Sequence, residues 1–294
     1  MSLGTRDQHL PTHEVGPERR GATGPAIGLT WVLLGLVTCA ALAGLLVEGL
    51  YTGAESTAEM LRGYDLVTLV VVAPTLAITL HLARRGSVTA HLVVASLLGY
   101  VVYTYAYYLF GTGFNDLFLL HVAVFSTGLV AFGLTLASLD LTALADRFHP
   151  RTRVRPIAGT LGVLAAALGC MWVFFAIDNA VTGDVPTGSR LVETDTVVHL
   201  GMALDLTLLV PLYAAAAVLL WRRTSWGYVL AGVALLAGVL HQLSYLVAML
   251  FQVAADVPGA VASDPGEPVI VLLYLTAAIL LFHGARHREE ASRP

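Results

Sequence analysis

The sequence predicts an all-α fold: a polytopic transmembrane helix bundle of about eight spans. Three observations carry this. Of 294 residues, 57% are hydrophobic and only 12% charged, about half the charged share of a soluble domain. The mean hydropathy is +0.77. The apolar residues also fall in blocks of the ~20 residues that a helix needs to cross the hydrocarbon core.

Those blocks place spans at 26–48, 65–83, 88–110, 115–139, 156–178, 196–221, 226–252 and 268–284. Residues 1–25 are polar and rich in Gly and Pro, and read as a disordered tail without a cleavable signal peptide. The bundle then occupies 26–284, and 285–294 form a short C-terminal tail.

Sidedness follows from arginine. All sixteen basic residues are Arg, and the chain has no Lys. Fourteen fall in the two tails and the even-numbered connections, leaving Arg62 and Arg190 on the other side. The positive-inside rule puts both termini in the cytoplasm, which an even span number requires, in a bacterial inner (cell) membrane. The opposite connections are acidic, with Glu55, Glu59, Asp184, Glu193, Asp195, Asp256, Asp264 and Glu267. Without lysine there is no retinal or pyridoxal Schiff base and no Walker lysine. The net charge of −4 gives no reason to expect a nucleic-acid partner. Cys39 and Cys170 sit in the middle of apolar runs, where packing as small buried hydrophobes is expected rather than a disulfide.

The halves resemble each other. Pro25-x-x-Gly28 and Cys39 align with Pro156-x-x-Gly159 and Cys170 at one offset. The second and sixth spans each hold a proline (Pro74, Pro211) and end in an arginine pair (Arg84–Arg85, Arg222–Arg223). Aligning these pairs carries Tyr103 onto His241 and Tyr107 onto Tyr245. Two parallel four-helix repeats, 26–139 and 156–284, are the expectation, with chance alignment of small-residue helices as the alternative.

The candidate site starts at Asp205, a carboxyl well inside the sixth span. Such a group is costly in hydrocarbon, so it should face the bundle interior or a cavity. Pro211 frees the carbonyl of Thr207 beside it. Asp195 and His199, at i and i+4, share a face near the outer surface, where a metal or proton relay is one use and a helix-start pair the other. The seventh span carries His241, Ser244, Tyr245 and Gln252 on one stripe beside Gly238. The third has Tyr100, Tyr103 and Tyr107, and the fourth a heptad of Phe114, Phe118, His121, Phe125, Gly128 and Phe132. With Glu48, Asp65 and Asp178 these residues suggest an outward-facing acidic cavity favouring a small cation or a proton.

The stretches "ARRGS", "YTYAYYLFGTGFNDLFLLHVAVFS" and "ALDL…P…LLWRRTSWGY" resemble an uncharacterised family of bacterial, actinobacterial-type polytopic membrane proteins without an assigned reaction. The resemblance spans most of residues 60–250 and implies a membrane bundle but no chemistry. His121 departs from it, standing where tyrosine is expected.

Three functions follow from the sequence. The first is transport or binding of a small molecule or cation, with Asp205, His241, Tyr245, His199, Asp195, His121, Glu48, Asp178 and Asp65 as ligand or proton groups. The second is a structural or partner-binding role in the bilayer, with the polar residues as interhelical glue. The third is a metal or haem protein using His121, His199 and His241, although no cofactor is called for by any motif. No nucleophile–base pair marks an enzyme, and the oligomeric state is not encoded in any motif.

Overall fold

The computed structural model describes residues 17–148, 150, 152–186 and 189–291, with the side chains of 17–23 and 286–291 outside the description. Its helices, in chain order, are α1 (Pro17–Leu46), α2 (Glu55–Arg84), α3 (Val88–Phe110), α4 (Phe118–Ser138), α5 (Leu141–Arg147), α6 (Val154–Thr182), α7 (Asp195–Trp221), α8 (Ser225–Ala254) and α9 (Glu267–Ala291). Eight of these are long and apolar enough to cross a membrane, and α5 is the short exception. The chain is thus an all-α, multi-pass membrane protein.

Helix ends are set by local chemistry. Ser87, Thr194 and Thr224 cap α3, α7 and α8, each hydroxyl accepting a backbone N–H of the first turn. Asp140 caps α5, accepting from the N–H groups of Thr142 and Ala143 at 3.1 and 3.0 Å. Gly183 ends α6 in the left-handed region, φ 78°.

Most span boundaries fall within a few residues of expectation, and three do not. Helix α2 begins at Glu55, ten residues before the expected start at 65. Its first turns, "ESTAEMLRGY", carry Glu55, Glu59 and Arg62, and this polarity hides them from a hydropathy pattern. Glu59 and Arg62 pair at 3.0 Å on the helix surface. At the N-terminus, α1 starts at Pro17, so 17–25 are helical rather than tail; the tail's remainder, 1–16, lies outside the described residues. The C-terminal tail is likewise helical through Ala291, and 292–294 lie outside.

Packing respects the two halves. Within the first, α1 packs on α2 and α4, and α3 on α2 and α4. Within the second, α6 packs on α7 and α9, and α8 on α7 and α9. Across the halves, α2 meets α8, α3 meets α7, and α3 meets α8. Exchanging α1–α4 with α6–α9 maps each of these pairings onto another, except α3–α8, which maps onto itself. The centre is α3 and α8: 78% and 50% of their most apolar stretches are buried, against 17% for α6 and α7.

Close approach makes the α2–α8 contact. A Cβ on Gly63 would lie 2.6 Å from the Ala248 Cα, so the two backbones touch where only glycine fits. Elsewhere the sequence pattern misreads which face is covered. Cys39 and Cys170 are exposed free thiols, not buried ones, because apolar positions on an outer span face lipid. The α4 heptad is also not an aromatic seam. Its buried stripe is His121, Val124, Gly128, Ala131 and Thr135, with Phe114 80% exposed and Phe118, Phe125 and Phe132 half-buried at its flanks.

Candidate functional site

Two spans are broken in the same way. In α7 the α-helix gives way to a π turn over Asp205–Leu209, directly before Val210–Pro211. Pro211 has no N–H, and its ring excludes the carbonyl one turn back. The helix widens instead: the Val210 N–H donates to the Asp205 carbonyl, five residues back. In α2 the π turn covers Thr68–Val72 before Ala73–Pro74, and the Ala73 N–H donates to the Thr68 carbonyl. π bulges of this kind gather at functional sites. Here one places a carboxyl, Asp205, on its first residue.

Asp205 is buried at 9% exposure, yet both its oxygens are served. The Tyr103 hydroxyl of α3 donates to Oδ1 at 2.6 Å, and the Trp172 indole of α6 donates to Oδ2 at 2.8 Å. Tyr103 then links outward. Its hydroxyl lies 3.3 Å from that of Tyr107, and its ring meets His241 of α8 edge-on, with centroids 5.1 Å apart. Asp205 and His241, both candidate groups from the sequence, are therefore brought together through one tyrosine. Above them, Glu193 lies in the loop before α7. Burial pushes its carboxyl up from the ordinary range, a Ser189 hydrogen bond opposes this, and the nearby Asp205 adds to it.

His241 also lines a cavity of about 370 Å³ between α3, α4, α7 and α8. Tyr100, Tyr103, Tyr213 and His241 are its polar-tipped walls; the other lining residues are aliphatic, aromatic or glycine. Tyr100 pairs with Ser244 at 2.7 Å, and Tyr213 accepts from Tyr274 at 2.8 Å, which leaves the Tyr213 O–H itself to donate. His241 makes no hydrogen bond to the described residues.

The second buried carboxyl, Asp65, is fully enclosed. Tyr51, in the α1–α2 loop, donates to it at 2.6 Å, and Tyr108 of α3 at 2.9 Å. Burial, with the charge and hydrogen bond of Asp65, pushes the Tyr51 hydroxyl far above its ordinary range and keeps it a donor. A Cβ on Gly44 would fall 1.9 Å from Asp65 Oδ2, so glycine is what lets α1 approach. His121 stands beside this group, its ring 5.0 Å from Tyr108, 5.9 Å from Tyr105 and 6.3 Å from Tyr51. Both its ring nitrogens are buried without a hydrogen-bond partner among the described residues.

The other expected residues do not converge. Asp195 and His199 share a face of α7, but both are exposed, as is Glu48. Asp178 is half-exposed near the end of α6. Tyr245 accepts the Arg190 N–H at 3.0 Å and donates to Asp264 at 3.3 Å, closing a loop contact. Gln252 is a strut: it donates to the carbonyls of Ser56 and Val192 and accepts the Val192 N–H, at 2.9 to 3.0 Å. Gln242, about 15 Å further back along α8, donates to Glu267. The acids thus line no single cavity. Among the described residues no three of His, Cys, Asp and Glu gather as metal ligands would, so His121, His199 and His241 are not one centre.

Trp172, Tyr51, Tyr108 and Glu193 are the site residues the sequence reading left out. One signal was available: Trp172 is deep in an apolar run, where an indole N–H must find an acceptor. Tyr51 and Tyr108 look like interfacial aromatics by position alone. No family model, curated protein or solved structure compared with the chain gives a match.

Proposed function

We propose that this integral membrane protein binds a small molecule at mid-membrane, with the Asp205–Tyr103–His241 group as the polar end of the site. The observation that carries the proposal is His241: an imidazole without a protein hydrogen bond, facing a cavity, and joined by one tyrosine to a buried carboxyl. Intramembrane ionisable residues with this setting mark substrate or proton sites. The cation reading is less well supported, because Glu48, Asp178, Asp195 and His199 are dispersed on the surface. Orientation with both termini cytoplasmic in a bacterial inner membrane belongs to the same proposal, supported by the arginine distribution.

A second reading, a structural or partner-binding protein, draws on Gln252, Ser244 and Asp65, whose polar atoms are spent on interhelical bonds. Thermal unfolding of the detergent-purified protein separates the two. Wild type and Asp205→Asn are compared across metals, organic cations, neutral amphiphiles and pH. The proposal expects a compound that stabilises the wild type and not the variant. No stabilising compound, with the variant merely melting lower, moves Asp205 to the structural role.

A further inference from the structure

Resting on that reading, the cavity itself restricts what the ligand is. Its lining draws on the apolar stretches of four helices: Gly99 to Tyr103 of α3, Leu129 to Leu136 of α4, Leu208 to Tyr213 of α7 and Leu230 to His241 of α8. It runs from the middle of α3 and α7 toward the side of the bundle where α4 ends and α8 begins. Among the described residues α4 and α7 share no extensive packing interface. Each instead puts a half-exposed leucine at the cavity rim, Leu129 at 51% and Leu208 at 50%. The opening therefore faces sideways, toward lipid.

The wall chemistry is equally selective. A cation entering this space would leave water for hydrocarbon with no anionic partner on the lining, and that costs several kcal/mol. Asp205 is not on the lining, and its two oxygens are occupied by Tyr103 and Trp172. What the cavity offers a ligand is the His241 ring edge, which makes no hydrogen bond to the described residues, and the O–H of Tyr213, whose oxygen accepts from Tyr274. An imidazole carries at least one N–H in either tautomer or charge state. His241 therefore always has a donor to give, and an acceptor on the ligand completes it.

We infer that the cavity between α3, α4, α7 and α8 takes a neutral, lipid-soluble amphiphile with a carbonyl-type acceptor head, entering from the bilayer between α4 and α7 and hydrogen-bonded by His241. The volume, about 370 Å³, is at the lower end for small-molecule sites. It holds the head and the first part of a chain, while the rest lies in lipid.

Three probes with similar chains test this in dioleoylphosphatidylcholine nanodiscs: 2-undecanone, undecane and decyltrimethylammonium. The readout is the saturable shift in unfolding temperature of the full-length protein. The ketone should bind the wild type about tenfold more tightly than undecane, the worth of one hydrogen bond. His241→Leu should erase that difference while leaving undecane binding intact. Ala237→Trp, which fills the cavity, should abolish binding of both, and a folded far-UV spectrum keeps this arm informative. Equal binding of ketone and alkane to the wild type would overturn the inference. So would tighter binding of the ammonium probe, or ketone binding that survives Ala237→Trp. A water-soluble ligand that depends on Asp205 but ignores Ala237→Trp would sink this inference and leave the proposed function standing. Loss of every Asp205-dependent ligand response would sink the proposed function itself.

Discussion

The Tyr103–Asp205 bond can be weighed by removing one oxygen atom. Tyr103→Phe keeps the ring that meets His241 at 5.1 Å and deletes the hydroxyl 2.6 Å from Oδ1. Crossing it with Asp205→Ala in a double-mutant cycle isolates the pair. Two magnitudes compete. Neutral interhelical hydrogen bonds in membranes average about 0.6 kcal/mol, because the membrane-embedded unfolded state finds other partners. A hydrogen bond to a charged group contributes about 1.5–3 kcal/mol. Tyr103 is one of two donors to the carboxyl, one on each oxygen. A coupling of about 0.6 kcal/mol or more is therefore predicted, measured by reversible SDS unfolding in micelles, and about 1.5 kcal/mol or more would make Asp205 an ionised carboxylate. A coupling near 0.6 kcal/mol would make Asp205 a neutral acid. One below about 0.3 kcal/mol, the noise of additivity, would refute the bond and the polar centre built on it.

Other perturbations have equally definite outcomes. Gly63→Ala puts a methyl 2.6 Å from the Ala248 Cα, well inside a normal carbon contact of ~3.5–4.0 Å. Forcing α2 and α8 apart should cost about 1–3 kcal/mol in unfolding free energy. Gln252→Leu takes away the Gln252 partner of both the N–H and the carbonyl of Val192 and the second hydrogen bond to the Ser56 carbonyl. It should destabilise by about 2 kcal/mol without altering any ligand response. For Glu193 the folded carboxyl is raised, so the folded state holds its proton to higher pH than the unfolded chain. Its contribution to stability is then complete below the ordinary glutamate pKa, about 4.3, and is lost as pH rises through the folded value. Glu193→Gln should flatten that fall in a pH series of melting curves, and an unchanged slope would show that the carboxyl is not perturbed. Gly44→Ala, which intrudes on Asp65 and Tyr51, should lower stability while sparing ligand binding at His241.

Much of this architecture is legible in the sequence, because a bilayer imposes a strong pattern. Spans need long apolar runs, and arginine marks one face, so eight helices and their order can be read directly. The prolines at 74 and 211 also point to the broken helices, though not to the π turns that relieve them. What the pattern cannot convey is which face of an apolar helix meets lipid. Cys39 and Cys170 look interior for this reason and are exposed. Polar entry turns fail for the opposite reason, as the first turns of α2 demonstrate.

The site was legible only in part. Asp205 and His241 stand out as polar groups in hydrocarbon, and the repeat alignment set Tyr103 against His241. The structure joins them as an edge-on ring contact between α3 and α8. Trp172 lies 33 positions from Asp205 in sequence and Tyr103 lies 102 away, so no local spacing joins them. The outer acids were drawn together by shared depth alone, and depth does not imply convergence around the circumference of the bundle.

The central claim is that His241, and not the other buried histidine, is the group that meets a ligand. Histidine-selective ¹⁵N NMR in nanodiscs tests it, with the His241 and His121 signals assigned through His241→Gln and His121→Gln. Titration with 2-undecanone should move the His241 ring resonances saturably and leave those of His121, sealed among Tyr51, Tyr105 and Tyr108, where they are. Unmoved His241 signals, or equal movement of both histidines, would contradict the account.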